Sequence, residues 1–181
     1  ARRGARVSGF YDNTCLAPTL QELLGTKGFG EAYRYDGASF AQALFRDDVR
    51  GADSVILTQC AHVCQRAARF DHYIYIRTQH GGYHLLPREL LFDLDSDPHQ
   101  QHDLAAERPD LCAYGAKLIL DWTDRMMRGS DSDADPMWTV LREGGPEHCR
   151  GHFAEYCRRL EATGRAFGVP LLEEQYPEDM R

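Results

Sequence analysis

The stretch Arg66-Ala-Ala-Arg-Phe-Asp-His-Tyr-Ile-Tyr-Ile-Arg-Thr78 decides the fold of this chain. Its second half, Tyr73 to Thr78, is rich in aromatic and β-branched residues, which fit a pleated, half-buried surface. Val63 to Phe70 reads as the preceding strand, and Asp71-His72 leaves room only for a tight hairpin between the two. Working outward, Ser54-Val-Ile-Leu-Thr58 predicts a strand before this pair, and Glu89-Leu-Leu-Phe-Asp93 one after it. Short connections favour an antiparallel meander, and such a sheet must cover one apolar face. Pro109 to Met127 supplies the cover. Leu111, Ala113, Tyr114, Leu118, Ile119, Trp122 and Met126 recur at the spacing of an amphipathic helix. Glu107 and Asp110 suit its N-terminus, and Arg125 and Arg128 its C-terminus. The expected fold is α+β, a four-stranded antiparallel sheet with a long helix packed on it, plus helical N- and C-terminal extensions.

In the N-terminal extension, Asn13 or Thr14 is placed to cap a short helix, with Pro18 in its first turn and Gly25 past its end. Leu16, Leu20, Leu23 and Leu24 form its apolar face. A loop with Gly25, Gly28 and Gly30 follows, then a short helix over Ser39–Phe45. After the long helix, Asp131, Asp133 and Asp135 lie in a Gly-Ser-Asp run that reads as a solvated loop. Glu147 to Thr163 predicts a longer helix ended by Gly164, and the tail Leu171 to Arg181 is short and polar, with a turn or two of helix. The domain reading is therefore 1–50, 51–130 and 131–181.

Bulk composition narrows the function. Hydrophobic residues make up 43% and charged residues 27%, as in ordinary globular chains. No run approaches the roughly 18 apolar residues of a membrane helix. Ala1 to Arg6 is basic but leads into no apolar stretch, so no signal peptide is expected there, and the compartment stays open. A net charge of −7 argues against nucleic acid as a main partner. Cys15, Cys60, Cys64, Cys112, Cys149 and Cys157 are scattered and read as reduced thiols. Cys60 and Cys64 could approach each other across a strand or turn.

Four segments, in order, carry a resemblance. Leu16-Ala-Pro-Thr-Leu20 with Leu24-Gly25 is followed by Asp36-Gly-Ala-Ser-Phe40. Arg66-Ala-Ala-Arg69 is followed by His72-Tyr-Ile-Tyr-Ile76, and Glu89-Leu-Leu-Phe-Asp-Leu-Asp-Ser-Asp-Pro98 by Gln101-His-Asp-Leu-Ala105. Together they resemble the C-terminal region of the type I sulfatases, arylsulfatase-like members of the alkaline-phosphatase superfamily. The resemblance implies a parent hydrolase of sulfate esters or sulfamates. Its catalytic domain would carry a formylglycine, made from Cys or Ser in Cys/Ser-x-Pro/Ala-x-Arg, beside a divalent metal, usually Ca²⁺. Residues 1–50 would then be a remnant of that domain, 51–130 the C-terminal sheet-and-helix subdomain, and 131–181 an extension. The implied partners are the catalytic domain of the same polypeptide and a sulfated small molecule or glycan. An exposed apolar face makes a homodimer or low solubility the expectation for the isolated chain.

The catalytic groups do not map onto this sequence. Cys15-Leu-Ala-Pro-Thr19 has Thr19 where Arg is required, so Cys15 is rejected as the nucleophile and read as a small helix residue. Asp12-Asn13, Asp47-Asp48 and Asp71-His72 read as cap, surface and turn residues rather than metal ligands. His148 and His152 are four apart with Cys149 and Cys157 near, a spacing that can bind Zn²⁺, but no general base accompanies them. They read as surface histidines. At least one of Arg66 and Arg69 is expected to pair with a carboxylate such as Asp93 or an Asp of the missing domain, the alternative being a cation at the substrate rim.

The candidate substrate contacts are His80, Tyr83 and His84 in Gln79-His-Gly-Gly-Tyr-His84, with His62 from the neighbouring turn. These side chains can hydrogen-bond a sugar or neutralise a second anionic group. The alternative is a flexible hairpin tip that touches no ligand. No metal or catalytic residue is assigned to this chain. The leading expectation is a non-catalytic part of a sulfatase that stabilises the catalytic domain and shapes the cleft. A phosphonate or phosphodiester hydrolase of the same superfamily, a free-standing binding module, and a Zn²⁺-binding protein using His148 and His152 are the alternatives.

Overall fold

The structure is a computed structural model that describes residues 4, 6–26 and 34–180. The expected loop residues Gly28 and Gly30 lie outside them, as do most of Ala1 to Arg6 and the terminal Arg181. The chain divides into two compact units, Ala1–Val55 and Ile56–Arg181.

In the first unit, a short 3-10 helix (Asn13–Cys15) leads into α1 (Leu16–Leu24). The cap is Asp12, the first residue of the Asp12-Asn13 pair read as a cap, and its carboxylate accepts from the Thr14 N–H at 2.8 Å. Gly25 ends α1 with φ of 63°, the left-handed conformation that glycine adopts without strain. Thr19, 1% exposed, ties helix and loop together. Its hydroxyl donates to the Cys15 carbonyl and accepts from the Phe40 N–H at 2.9 Å. Gly37 sits against Thr14 so closely that a Cβ there would lie 2.4 Å from its side chain. The helix expected over Ser39–Phe45 is a 3-10 turn, Ala41–Leu44.

The second unit is α+β. Strands β1 (Ser54–Gln59), β2 (Cys64–Phe70), β3 (Tyr73–His80) and β4 (Glu89–Asp93) form one sheet in that order. Phe70 pairs with Tyr73 across the two-residue turn, in which Asp71 has φ of 46°. Tyr75 stands opposite Ala68 on one side and Leu91 on the other, and all three are fully buried. Helix α2 (Pro109–Gly129) covers this face through Cys112, Gly115 and Ile119. The contact stripe is rotated from the one that hydrophobicity suggests, leaving Tyr114 49% exposed. Gly115 explains the rotation. A Cβ at this position would fall 2.5 Å from the Tyr75 side chain, so the helix approaches the sheet where it has no side chain.

The exit from β4 seals the sheet edge. Asp103 accepts from the Leu91 and Ala105 N–H groups at 3.0 and 2.9 Å, and the Leu104 N–H donates to the Leu91 carbonyl at 2.8 Å. Asp93 accepts from the Asp95 N–H at 2.9 Å, and Asp97 from the His102 N–H at 2.8 Å. The Asp-Pro block is thus a series of carboxylates capping one turn.

Three expectations change in the C-terminal part. Asp135 is not solvated. It is 7% exposed, caps α3 (Pro136–Arg142), and pairs with Arg66, whose expected partner was Asp93. Arg69 donates to the carbonyls of Asp71 and Tyr73. The helix expected from Glu147 is broken. A 3-10 turn (Glu147–Cys149) is separated by Gly151, with φ of 72°, from α4 (Phe153–Ala162). Helix α5 (Gly168–Gln175) and a 3-10 turn (Pro177–Met180) follow. All six cysteines are free. No helix among the described residues is long and apolar enough to cross a membrane.

Candidate functional site

The β3–β4 connector begins where β3 ends at His80 and turns through Gly82 (φ 59°) and Tyr83 (φ 64°). A tyrosine with positive φ carries strain that its surroundings must hold in place. Here they do so from several sides. The Tyr83 ring, 2% exposed, packs against Phe153, Tyr156 and Tyr176 with centroids 5.2, 5.7 and 5.3 Å away. Its hydroxyl donates to Asp179 at 3.2 Å. Burial first, then the Asp179 charge, pushes that phenol well above its usual range.

His80 is 7% exposed and faces the same cluster, its ring 4.6 Å from that of Tyr176. Its Nδ1 accepts from the Gly82 N–H at 3.0 Å, which fixes Nδ1 as the unprotonated nitrogen in this arrangement. Gly145 packs flat on the other side, where a Cβ would meet the imidazole at 2.6 Å. The Tyr176 hydroxyl accepts from the Gly81 N–H at 2.7 Å. The connector is therefore not a free hairpin tip. The C-terminal helices cover it with a second core of Tyr83, Cys149, Phe153, Leu160, Leu172 and Tyr176.

The four candidate residues divide by direction. His80 and Tyr83 turn into the core, while His62 and His84 are exposed. His62 lies beside the connector because Gly82 meets its carbonyl, and its ring stands 5.5 Å from that of His148. His148 and His152 do not share a helix face. His152 instead lies 3.2 Å from Glu155. Beside Tyr83, a cleft of about 590 Å³ opens between Phe153, Cys157, Glu161, Val169, Glu173 and Asp179.

Reading the sequence missed Tyr176, Asp179 and Gly145 as neighbours of the connector. The available signal was apolar spacing. Phe153, Leu160, Leu172 and Tyr176 belong to one core.

Among the described residues, no group of three or more His, Cys, Asp or Glu is arranged to hold a metal ion. Asp48 pairs with Arg46, and the Asp12 carboxylate caps the 3-10 turn. Cys15 has its thiol toward Asp12 with Thr19 one turn on, and nothing there fits a formylglycine. No reaction step is assigned to this chain through either group.

No protein-family model matches the sequence, and no curated protein is similar to it. Solved structures do share part of the fold. One is a Bacteroides thetaiotaomicron protein of a locus for glycosaminoglycan metabolism, at 16% identity and TM-score 0.44, covering 57% of this chain and 23% of its own. Another is yidJ from Bacteroides fragilis, provisionally named a sulfatase, at 19% identity and TM-score 0.45, covering 67% and 25%. A third was solved with its substrate D-glucosamine-2-N,6-O-disulfate, at 16% identity and TM-score 0.47, again covering 67% and 25%. The chain spans about a quarter of the length of these structures.

Proposed function

We propose that this chain is the C-terminal, non-catalytic portion of a sulfatase, which stabilises the catalytic domain and shapes the substrate cleft. The observation that supports it is the block Glu89–Ala105. Five residues of the block have a structural task, among them Asp103, which stands where the family pattern has Asn. Glu89 accepts from the Tyr75 hydroxyl at 2.6 Å and pairs with Arg77 at 3.1 Å. Asp93, Asp97 and Asp103 hold the turn, and Leu104 packs on the core beside Leu91. The N-terminal matches are linked in the same way, through Thr19, Gly37 and Phe40.

In this reading His62 and His84 are the rim groups that contact a sulfated small molecule or glycan. An imidazole can hydrogen-bond a hydroxyl when neutral and attract a second anionic group when protonated. His80 and Tyr83 support the connector from beneath. Ca²⁺ and formylglycine belong to the catalytic domain of the proposed parent.

The test is to express the full reading frame that contains this segment and assay it on an aryl sulfate, a phosphonate monoester and a phosphodiester. Sulfate turnover by the full protein and none by residues 1–181 is expected. Phosphoester preference would assign the sister hydrolases, and turnover by the purified 1–181 chain would overturn the non-catalytic reading. His84→Ala or His62→Ala in the full protein should raise KM several-fold with kcat kept. Unchanged kinetics on the natural substrate would remove the rim assignment.

A further inference from the structure

We infer that His62 and His148 form a two-imidazole site for a borderline-soft divalent transition ion, with Zn²⁺ the expected occupant. The two residues come from segments far apart in sequence. His62 lies in the turn between β1 and β2, and His148 in the 3-10 turn before α4. Both are exposed, and neither ring has a hydrogen-bond partner among the described residues. Their ring centres are 5.5 Å apart with planes at 62°. With Zn–N bonds of about 2.1 Å and tetrahedral angles, two ligating imidazoles hold their ring centres about 5 Å apart. The rings meet edge to face, so one exposed imidazole must rotate to bring a nitrogen of each to a common point.

Gly82 builds the approach. Its backbone is the floor between the two residues. A Cβ there would fall 2.2 Å from the His62 carbonyl oxygen, and 3.4 Å from both Cε1 and Nε2 of His148. With φ of 59° as well, the position suits glycine alone. The tight Gly82 contact holds the β1–β2 turn beside the segment that carries His148, whose Cε1 and Nε2 lie on the Gly82 side.

Imidazole nitrogen prefers borderline transition ions to Ca²⁺ or Mg²⁺, which favour oxygen. With no third protein ligand in place, water fills the remaining positions, and the affinity expected is micromolar. Cys60, two residues before His62, is half-buried, whereas Cys64 and Cys149, as near or nearer in sequence to the two histidines, are buried. Occupancy would staple the β1–β2 turn to the C-terminal helices beside the connector. This inference does not depend on the sulfatase reading.

The experiment is calorimetric titration of the reduced protein with Zn²⁺, with equilibrium dialysis and metal quantification to fix stoichiometry. One ion per chain is expected, together with a rise in Tm. Losing even an outer partner of a metal ligand costs about tenfold in affinity. His62→Ala or His148→Ala should therefore weaken binding by more than that and abolish the rise in Tm. His152→Ala, on a residue beside Glu155, should leave both unchanged, and Cys60→Ser should retain binding. No binding at one ion per chain, binding that survives both histidine substitutions, or binding lost only in Cys60→Ser would each overturn the site.

Discussion

At the scale of single residues, Asp135 shows what local sequence leaves open. It ends a run of polar residues, and charge pattern alone places it in water. The structure places it against Arg66 on β2, with guanidinium nitrogens at 2.6 and 2.7 Å from its two oxygens. Trp122 lies 5.2 Å from the same guanidinium, and Thr123 accepts from it at 3.1 Å. The signal for the cap was present in the dipeptide Asp135-Pro136, since Pro favours the first helical position after a capping residue. The partner was not legible, because it lies 69 positions away. Removing one member of a buried pair leaves the other charge unpaired. Asp135→Asn should therefore cost about 3–5 kcal/mol, measured by urea unfolding. The pH dependence follows. Burial alone would raise the Asp135 carboxyl, but the Arg66 hydrogen bonds, the Met137 N–H and the Arg66 charge together hold it below its usual range. The stabilisation is complete above the unfolded pKa of about 3.9 and is lost as pH falls through the lower folded value. Wild-type stability should drop below about pH 4, and the Asn variant should show a shallower fall. Equal slopes would deny the pair this role.

Elements were more legible than contacts. The hairpin at Asp71-His72, the four strands and the long helix all follow from period and turn chemistry, and the structure contains each. The broken helix at Arg150–Gly151 was not foreseen, because apolar spacing continues across the break while Gly151 adopts positive φ. The edge of β4 shows how a motif acts at this scale. Leu91 is fully buried, and its N–H finds its acceptor in the side chain of Asp103. Asp103→Ala orphans that N–H and the Ala105 N–H. An unsatisfied buried donor costs about 1–3 kcal/mol, so Tm should fall by several degrees. Asp103→Asn keeps an oxygen at the same place and should restore most of the loss. An Asn variant as unstable as the Ala variant would mean that charge, not the hydrogen bond, matters at this edge.

At the scale of the whole molecule, the question is which surfaces the chain leaves open. The candidate connector was read from sequence as an outward loop, and half of it is. The other half is covered by α4, α5 and the last 3-10 turn, whose tertiary positions no local pattern encodes. Among the described residues, two groups of exposed apolar side chains bear on docking. Helix α1 leaves Leu16, Leu20, Leu23 and Leu24 between 44% and 74% exposed, at a spacing that makes one stripe. Around α5, Phe167 is 71% and Leu171 51% exposed, with Leu85 against Gly168. Contiguous apolar stripes mark docking surfaces. If the proposed parent buries the α1 stripe against its catalytic domain, the isolated chain should self-associate through it. Light scattering after size exclusion should then show dimers or larger species at micromolar concentration. Leu20→Glu with Leu24→Glu should return a monomer with Tm nearly unchanged, since exposed positions contribute little to folding. Phe167→Glu with Leu171→Glu separates the two surfaces. If that pair restores the monomer and the α1 pair does not, the docking face lies on α5, and the assignment of α1 to a catalytic-domain contact falls with it.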